Sequence, residues 1–319
     1  MNKIVVLDGH VLNPGDLSWD GLTALGEAEI FERTPSAEVS ARLKGRDLVL
    51  TNKTKLTREL LTEAPGIRYI GVMATGYDIV DIQAAKELGV VVTNVPTYGT
   101  AAVSQHAIAL LLEVCHRVGH HSHAVYQGRW AQARDWCFWD YPMIELDGKT
   151  MGVIGLGRIG LAVAVTARAM GMSVVADEAH PNQAAPGWVE YLPLAEVLSR
   201  SHVINLSCPL RDSTAGIINK KTIERMRDKV IIVNTSRGKL IVEEDLAEAL
   251  RSGKVLGAGL DVVSLEPIRP ENPLLSAPNC FITPHVAGSP KESRERLLGV
   301  AVDNLKSFLA GKPVNVVNP

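Results

Sequence analysis

The sequence predicts an α/β protein built from two Rossmann-like parallel-sheet domains. Three observations lead there. Short apolar runs alternate with helical stretches along nearly all of the 319 residues. That length suffices for two substantial cores. The rhythm is interrupted once, by a turn-rich join (NVPTYGT, 94–100) ahead of a long apolar helix.

Residues 3–8 (KIVVLD) read as a buried strand and Leu17 to Leu25 as a helix. Further strand-like runs at 47–50, 69–72 and 90–93 are separated by helical stretches at 57–64 and 79–88. Strands alternating with helices imply a parallel sheet, here without a phosphate-binding glycine turn. The helix expected over 101–118 reads as crossing between domains, with a hinge just before it. Its end carries His116, His120, His121 and His123. His116 and His120 stand four apart, but no acid or cysteine completes a ligand set, so no metal is expected. Residues 130–141 (WAQARDWCFWDY) hold five of the fifteen aromatics, which read either as an interface arm or as packing over the long helix. From Thr150 six apolar strands follow, at 151–154, 173–176, 202–206, 229–233, 255–260 and 280–283. Six is the count of a doubly wound sheet in the order 3-2-1-4-5-6. A helix from about Pro290 to Leu309 leads to an extended tail, KPVNVVNP, expected to pack on another element.

One stretch organises the rest. Met151 to Ile154 runs into Gly155-Leu-Gly157-Arg-Ile-Gly160, then a helix, then a second strand ending on Asp177. This is the order of a dinucleotide-binding βαβ unit. Gly155 permits the turn, Gly157 lets a pyrophosphate approach the backbone, and Gly160 lets helix and strand pack closely. The phosphates rest on the helix N-terminus, where unpaired N–H groups and the dipole favour an anion. Asp177, 22 residues after Gly155, accepts from both ribose hydroxyls and repels a 2′-phosphate, which favours NAD over NADP. Glu178 strengthens that preference.

Composition excludes other classes. A net charge of −2 with no basic stripe argues against nucleic acid. The four cysteines are widely spaced, which suits a reducing compartment and gives no zinc pattern. The apolar run Ile4–Leu7 is too short for a signal peptide, and the apolar helix from Ala101 is too short to span a bilayer. A cytoplasmic protein without membrane contact is expected.

In an open parallel sheet the ligand crevice lies at the carboxyl ends of the strands. After the fourth strand of this half comes Arg237, after the fifth Asp261 and Glu266, and after the sixth His285. That trio suits reduction of a 2-keto acid. Arg237 binds the carboxylate and polarises the carbonyl with its fixed fork of donors. His285 supplies the proton that the developing alkoxide needs. Glu266 beside the imidazole stabilises its protonated form.

With these residues in view, the sequence resembles the D-isomer-specific 2-hydroxyacid dehydrogenases. The matching stretches are MATGYDIVD (73–81), VPTYGTAAVSQHA (95–107), GLGRIG (155–160), VNTSRG (233–238), GLDVVSLEP (259–267) and TPHVAG (283–288). The resemblance implies catalytic Arg237, Glu266 and His285. It implies a substrate site at Ala74, Thr75 and Gly76, whose backbone N–H groups hold the carboxylate, together with Arg237 and His285. NAD contacts are implied at Thr100, Gly155, Gly157, Arg158, Ile159, Gly160, Asp177, Cys208, Pro209, Thr214, Thr235, Asp261 and Gly288. It further implies a discontinuous flavodoxin-like substrate domain (1–98 plus 290–319), a doubly wound NAD-binding domain (99–289), and a homodimer joined through the 119–148 arm and the NAD-binding domain. Within the family the glycerate dehydrogenase, or hydroxypyruvate reductase, group is most similar, with a small 2-keto or 2-hydroxy acid as substrate. A short phosphoglycerate dehydrogenase and an NAD-sensing corepressor are the alternatives. Ser104-Gln105-His106 departs from the Ala-Glu-His of many members.

Overall fold

The computed structural model describes residues 2–177 and 179–319; Glu178, expected to reinforce the choice of cofactor, lies outside them. The chain divides into two compact units, 1–99 with 288–319, and 100–287.

The first unit holds a five-stranded parallel sheet: β1 (Lys3–Val6), β2 (Glu27–Ile30), β3 (Leu48–Thr51), β4 (Tyr69–Val72) and β5 (Val91–Thr93), in the order β2-β1-β3-β4-β5. Period-two alternation explains the unbroken apolar runs, because both faces are covered. Val5, Val49 and Ile70 pack with Leu43, Leu61 and Ala84 of the short helices on one face. Ile4, Leu48, Leu50 and Tyr69 pack on the other face with Leu297, Ala301 and Leu305 of the helix Lys291–Leu309. The tail does pack on another element. Thr93 pairs antiparallel with Val316, and Val317 N–H donates to Val92 O at 2.9 Å, covering the β5 edge.

The second unit holds β6 (Thr150–Ile154), β7 (Ser173–Asp177), β8 (Val189–Leu192), β9 (Val203–Leu206), β10 (Val230–Asn234), β11 (Val255–Leu260) and β12 (Cys280–Ile282), all parallel, in the order β12-β11-β10-β9-β6-β7-β8. The predicted six-strand count is one short. The third place belongs to Val189–Leu192, so 203–206 sits beside β6 rather than outside β7. The strands bearing Arg237, Glu266 and His285 remain neighbours.

The long helix, Thr100–His116, lies wholly in the second unit and does not cross between the units. It seats on β11 because Gly257 and Gly259 offer no side chain; an added Cβ would stand 2.7 Å from Val114 and 2.8 Å from Leu110. It ends where Arg117 turns left-handed (φ 49°), and a second helix, Val118–Tyr126, follows.

Candidate active site

β6 lies between β7 and β9, where the connections turn to opposite sides of the sheet, the usual place for a dinucleotide in this architecture. The three glycines have separate geometric duties. Gly155 has φ +92°, and a Cβ there would lie 2.5 Å from the backbone nitrogen of Cys208, at the end of β9. Gly157, in extended backbone at the N-cap of the helix Arg158–Ala169, would meet nothing within 4 Å. Gly160 lies against the Gly155 carbonyl, so helix and turn touch through backbone alone. A face open at Gly157, ahead of a helix of 12 residues, fits an approaching pyrophosphate. Arg158 and Ile159 begin that helix, and Asp177 ends β7, half-buried. Asn182, marked by no sequence motif, fastens the turn by donating from Nδ2 to Leu156 O at 2.8 Å.

The other implied cofactor residues occupy neighbouring loops. Cys208 is buried, which pushes its thiol up to about 11 and keeps it neutral; its carbonyl accepts from the Ser236 hydroxyl at 2.6 Å. Thr214 donates to Pro209 O at 2.8 Å, closing the loop after β9. Thr235 follows β10, Thr100 opens the long helix, and Gly288 lies in the first unit, beside Tyr98.

The catalytic candidates stand on three consecutive strand ends. Arg237 follows β10, and its carbonyl accepts from Asn234 Nδ2 at 2.9 Å. Gly238 presses directly on the backbone of Val263 and Ser264, with no room for a Cβ, so the Arg237 and Glu266 loops are packed together. The buried Glu243 holds the latter loop by accepting from Ser264 N–H and hydroxyl, both at 2.7 Å, and from Asn272 at 3.0 Å. Glu266 Oε2 lies 2.6 Å from His285 Nδ1. That contact engages Nδ1 and leaves Nε2 facing away from the carboxylate.

His285 has φ 55°, a left-handed conformation that favours glycine, so something must impose it. Asp261 does so. The His285 N–H donates to the Asp261 carbonyl at 2.9 Å, while the Asp261 carboxylate accepts from Thr283 Oγ1 (2.6 Å), Val286 N–H (2.9 Å) and Ala287 N–H (2.8 Å). His106 Nε2 lies 2.9 Å from Thr283 Oγ1 and 3.3 Å from Asp261 Oδ1. Burial acts to raise the Asp261 carboxyl, but the hydrogen bonds from His106, Thr283, Ala287 and Val286 outweigh it and hold it below its usual value. In the sequence His106 stood only as the shared last residue of Ser104-Gln105-His106, with no role assigned; the structure makes it part of the support beneath His285. Ala74, Thr75 and Gly76 follow β4 in the first unit, while the trio belongs to the second.

One expectation needs correction. An acid does reach the histidines of the arm: Asp140 Oδ2 lies 2.6 Å from His120 Nε2, and His121 completes a cluster with ligand atoms within 4.8 Å of one another. Arg129 donates to both Asp140 oxygens, at 2.5 and 2.6 Å, so a cation there would compete with a guanidinium. His116 takes no part in the cluster.

Residues 108–287 match the family model described as D-isomer specific 2-hydroxyacid dehydrogenase, NAD binding domain. The chain is 58% identical over 320 residues to a hydroxypyruvate reductase of Blautia hydrogenotrophica, covering 99% of each. It is 37% identical over 282 residues to a glycerate dehydrogenase of Methylorubrum extorquens, covering 88% of each. The solved D-lactate dehydrogenase of Aquifex aeolicus, complexed with NAD and lactic acid, superposes with a TM-score of 0.84 at 28% identity, over 100% of this chain and 99% of that one.

Proposed function

The chain belongs to the D-isomer-specific 2-hydroxyacid dehydrogenase family and is an NAD-dependent oxidoreductase, and from that premise we propose that it reduces hydroxypyruvate, or glyoxylate, to the D-2-hydroxy acid or glycolate and catalyses the reverse. The observation that carries the reading is the 2.6 Å contact between His285 Nδ1 and Glu266, at the end of the strand next to the one that ends in the Glu266 loop. Near-complete coverage by a relative named hydroxypyruvate reductase supports the substrate.

The bound nicotinamide supplies the hydride. Arg237 orients the keto acid through its carboxylate and polarises the carbonyl. The N–H groups of Ala74, Thr75 and Gly76 take the carboxylate as well. His285 Nε2 gives its proton to the oxygen that becomes the hydroxyl, and Glu266 carries the charge opposite the imidazolium. In the oxidative direction neutral Nε2 takes the hydroxyl proton. Asp177 selects NAD by repelling a 2′-phosphate.

The arm joins two copies of the chain. Trp136 is 87% exposed and Trp139 64%, so neither is covered within the chain, which favours the interface reading over packing on the long helix. Replacing both with alanine lowers the mass in solution by half; unchanged mass counts against the arm. No described helix is long and apolar enough to cross a membrane, and the composition supports a cytoplasmic location. The deciding assay is NADH absorbance with a panel of 2-keto acids. Rapid oxidation with hydroxypyruvate or glyoxylate is the expected result. Silence across the panel with tight NADH binding would make the protein a sensor.

A further inference from the structure

The turn after β4 has an unusual accounting of its backbone groups. Three successive carbonyls are taken: Met73 O by Asn52 Nδ2 at 2.5 Å, Ala74 O by Val95 N–H at 3.0 Å, and Thr75 O by Asn94 Nδ2 at 2.7 Å. The Thr75 hydroxyl donates to Val95 O at 2.8 Å, which leaves that side chain committed to the fold. Among the described residues, the N–H groups of Ala74, Thr75 and Gly76 donate to no protein acceptor. A peptide carbonyl and the following N–H point in opposite directions, so fixing one aims the other. Three carbonyls pulled inward present a set of N–H groups outward, a concavity suited to an anion.

Asn94 is itself held from far along the chain. Its N–H donates to Asn315 O at 3.2 Å, and its carbonyl accepts from Asn304 Nδ2 at 2.8 Å. Asn315 Nδ2 in turn donates to Asn304 Oδ1 at 2.8 Å. Asn94 and Asn304 are buried, where an amide with mismatched partners is costly. Asn315 adopts φ 54°, a left-handed conformation that lets the tail bring both its carbonyl and its side chain to bear.

We propose that Asn94 is a positioning residue for substrate-carboxylate recognition, set in place by Asn304 and Asn315, so that the tail after the helix Lys291–Leu309 tunes the affinity of the anion-binding turn at Ala74–Gly76. The proposal rests on the reading that this turn takes the substrate carboxylate. Asn94 touches no reacting atom; it acts by orienting the Thr75–Gly76 peptide. Its loss therefore weakens binding of the keto acid and leaves the chemical step alone.

The test has two readouts. In 15N-labelled wild type saturated with NADH, the amide resonances of Ala74, Thr75 and Gly76 shift on titration with oxamate, an unreactive 2-keto acid mimic. Asn94→Ala raises both the oxamate Kd and the KM for hydroxypyruvate by about tenfold, the scale of one hydrogen bond used in binding. Its kcat and its KM for NADH stay within about twofold of wild type. Asn94→Asp, which sets an acceptor against the Thr75 carbonyl, does the same or worse. Asn315→Gly keeps the left-handed backbone and deletes only the link to Asn304; it raises KM by about threefold and decides the matter should Asn94→Ala fail to fold. Wild-type amides at 74–76 that ignore oxamate overturn the reading of the turn itself. Wild-type amides that respond, with unchanged oxamate Kd and KM in the folded variants, overturn the positioning role alone. A kcat that falls in step with KM also overturns it.

Discussion

The second unit contains two histidine–carboxylate pairs of equal length, His285 Nδ1–Glu266 Oε2 and His120 Nε2–Asp140 Oδ2, each 2.6 Å apart. Their surroundings separate them. Asp140 is gripped at both oxygens by Arg129, and Arg129 first, then His120, hold its carboxyl far below the usual carboxylate range. Its charge is already answered, and the imidazole meets it through Nε2, the outer nitrogen. Around that knot Arg117 stacks 3.5 Å from the Tyr141 ring and Arg129 4.3 Å from the Phe138 ring, so the pair serves to shape the arm. His285 meets its carboxylate through Nδ1, which leaves the outer nitrogen for chemistry, and its backbone is forced into place by Asp261. The lesson is that distance does not make a pair catalytic. The nitrogen that meets the carboxylate, and the backbone that holds the ring in place, separate the two pairs.

Substitution separates the two pairs, and the largest effects belong to the pair proposed as catalytic. His285→Ala lowers kcat by about 10²–10⁴-fold, the usual worth of a general acid, and Arg237→Ala abolishes turnover while NAD still binds; stopped-flow hydride transfer and NADH fluorescence titration check the two. Near-wild-type turnover in both would falsify the assignment. Glu266→Gln keeps a hydrogen-bond acceptor but removes the opposing charge, and costs about 10–100-fold in kcat, read from the pH–rate profile.

A smaller effect comes from the support beneath His285. Because Asp261 is held below its usual value in the folded chain, the stability it contributes is present above the unfolded carboxylate pKa. It is lost as pH falls through the lower folded value. Asp261→Asn therefore costs about 1–3 kcal/mol at neutral pH, and the gap between variant and wild type closes in acid; urea titrations at neutral and acid pH measure it. The smallest effect belongs to the other pair. His120→Ala leaves kcat within about twofold, and a large loss there would erase the distinction drawn between the pairs.

Much of this was legible in the chain. The glycine turn announces itself because each glycine answers a local steric demand, and the trio because parallel strands deliver their following residues to one edge. The missing elements share a physical cause. β2 (EAEI) and β8 (VEYL) are edge strands, half exposed, so neither carries the apolar run that marks a buried strand. The clamps Asn52, Asn94 and Asn182 are single polar residues whose partners lie 19 to 26 positions away, and no periodicity encodes such a meeting. Asp140 reaches His120 only because Arg117 breaks the helix, and a positive φ at an arginine leaves no mark in composition.

The first unit is assembled from residues on either side of the second. During synthesis the segment 1–99 leaves the ribosome without the helix whose Leu297, Ala301 and Leu305 cover Ile4, Leu48 and Tyr69. Residues 100–287, by contrast, carry both faces of their own sheet. The nucleotide-binding half can thus mature while the other still shows a greasy, half-dressed sheet to its surroundings, until residues 288–319 arrive.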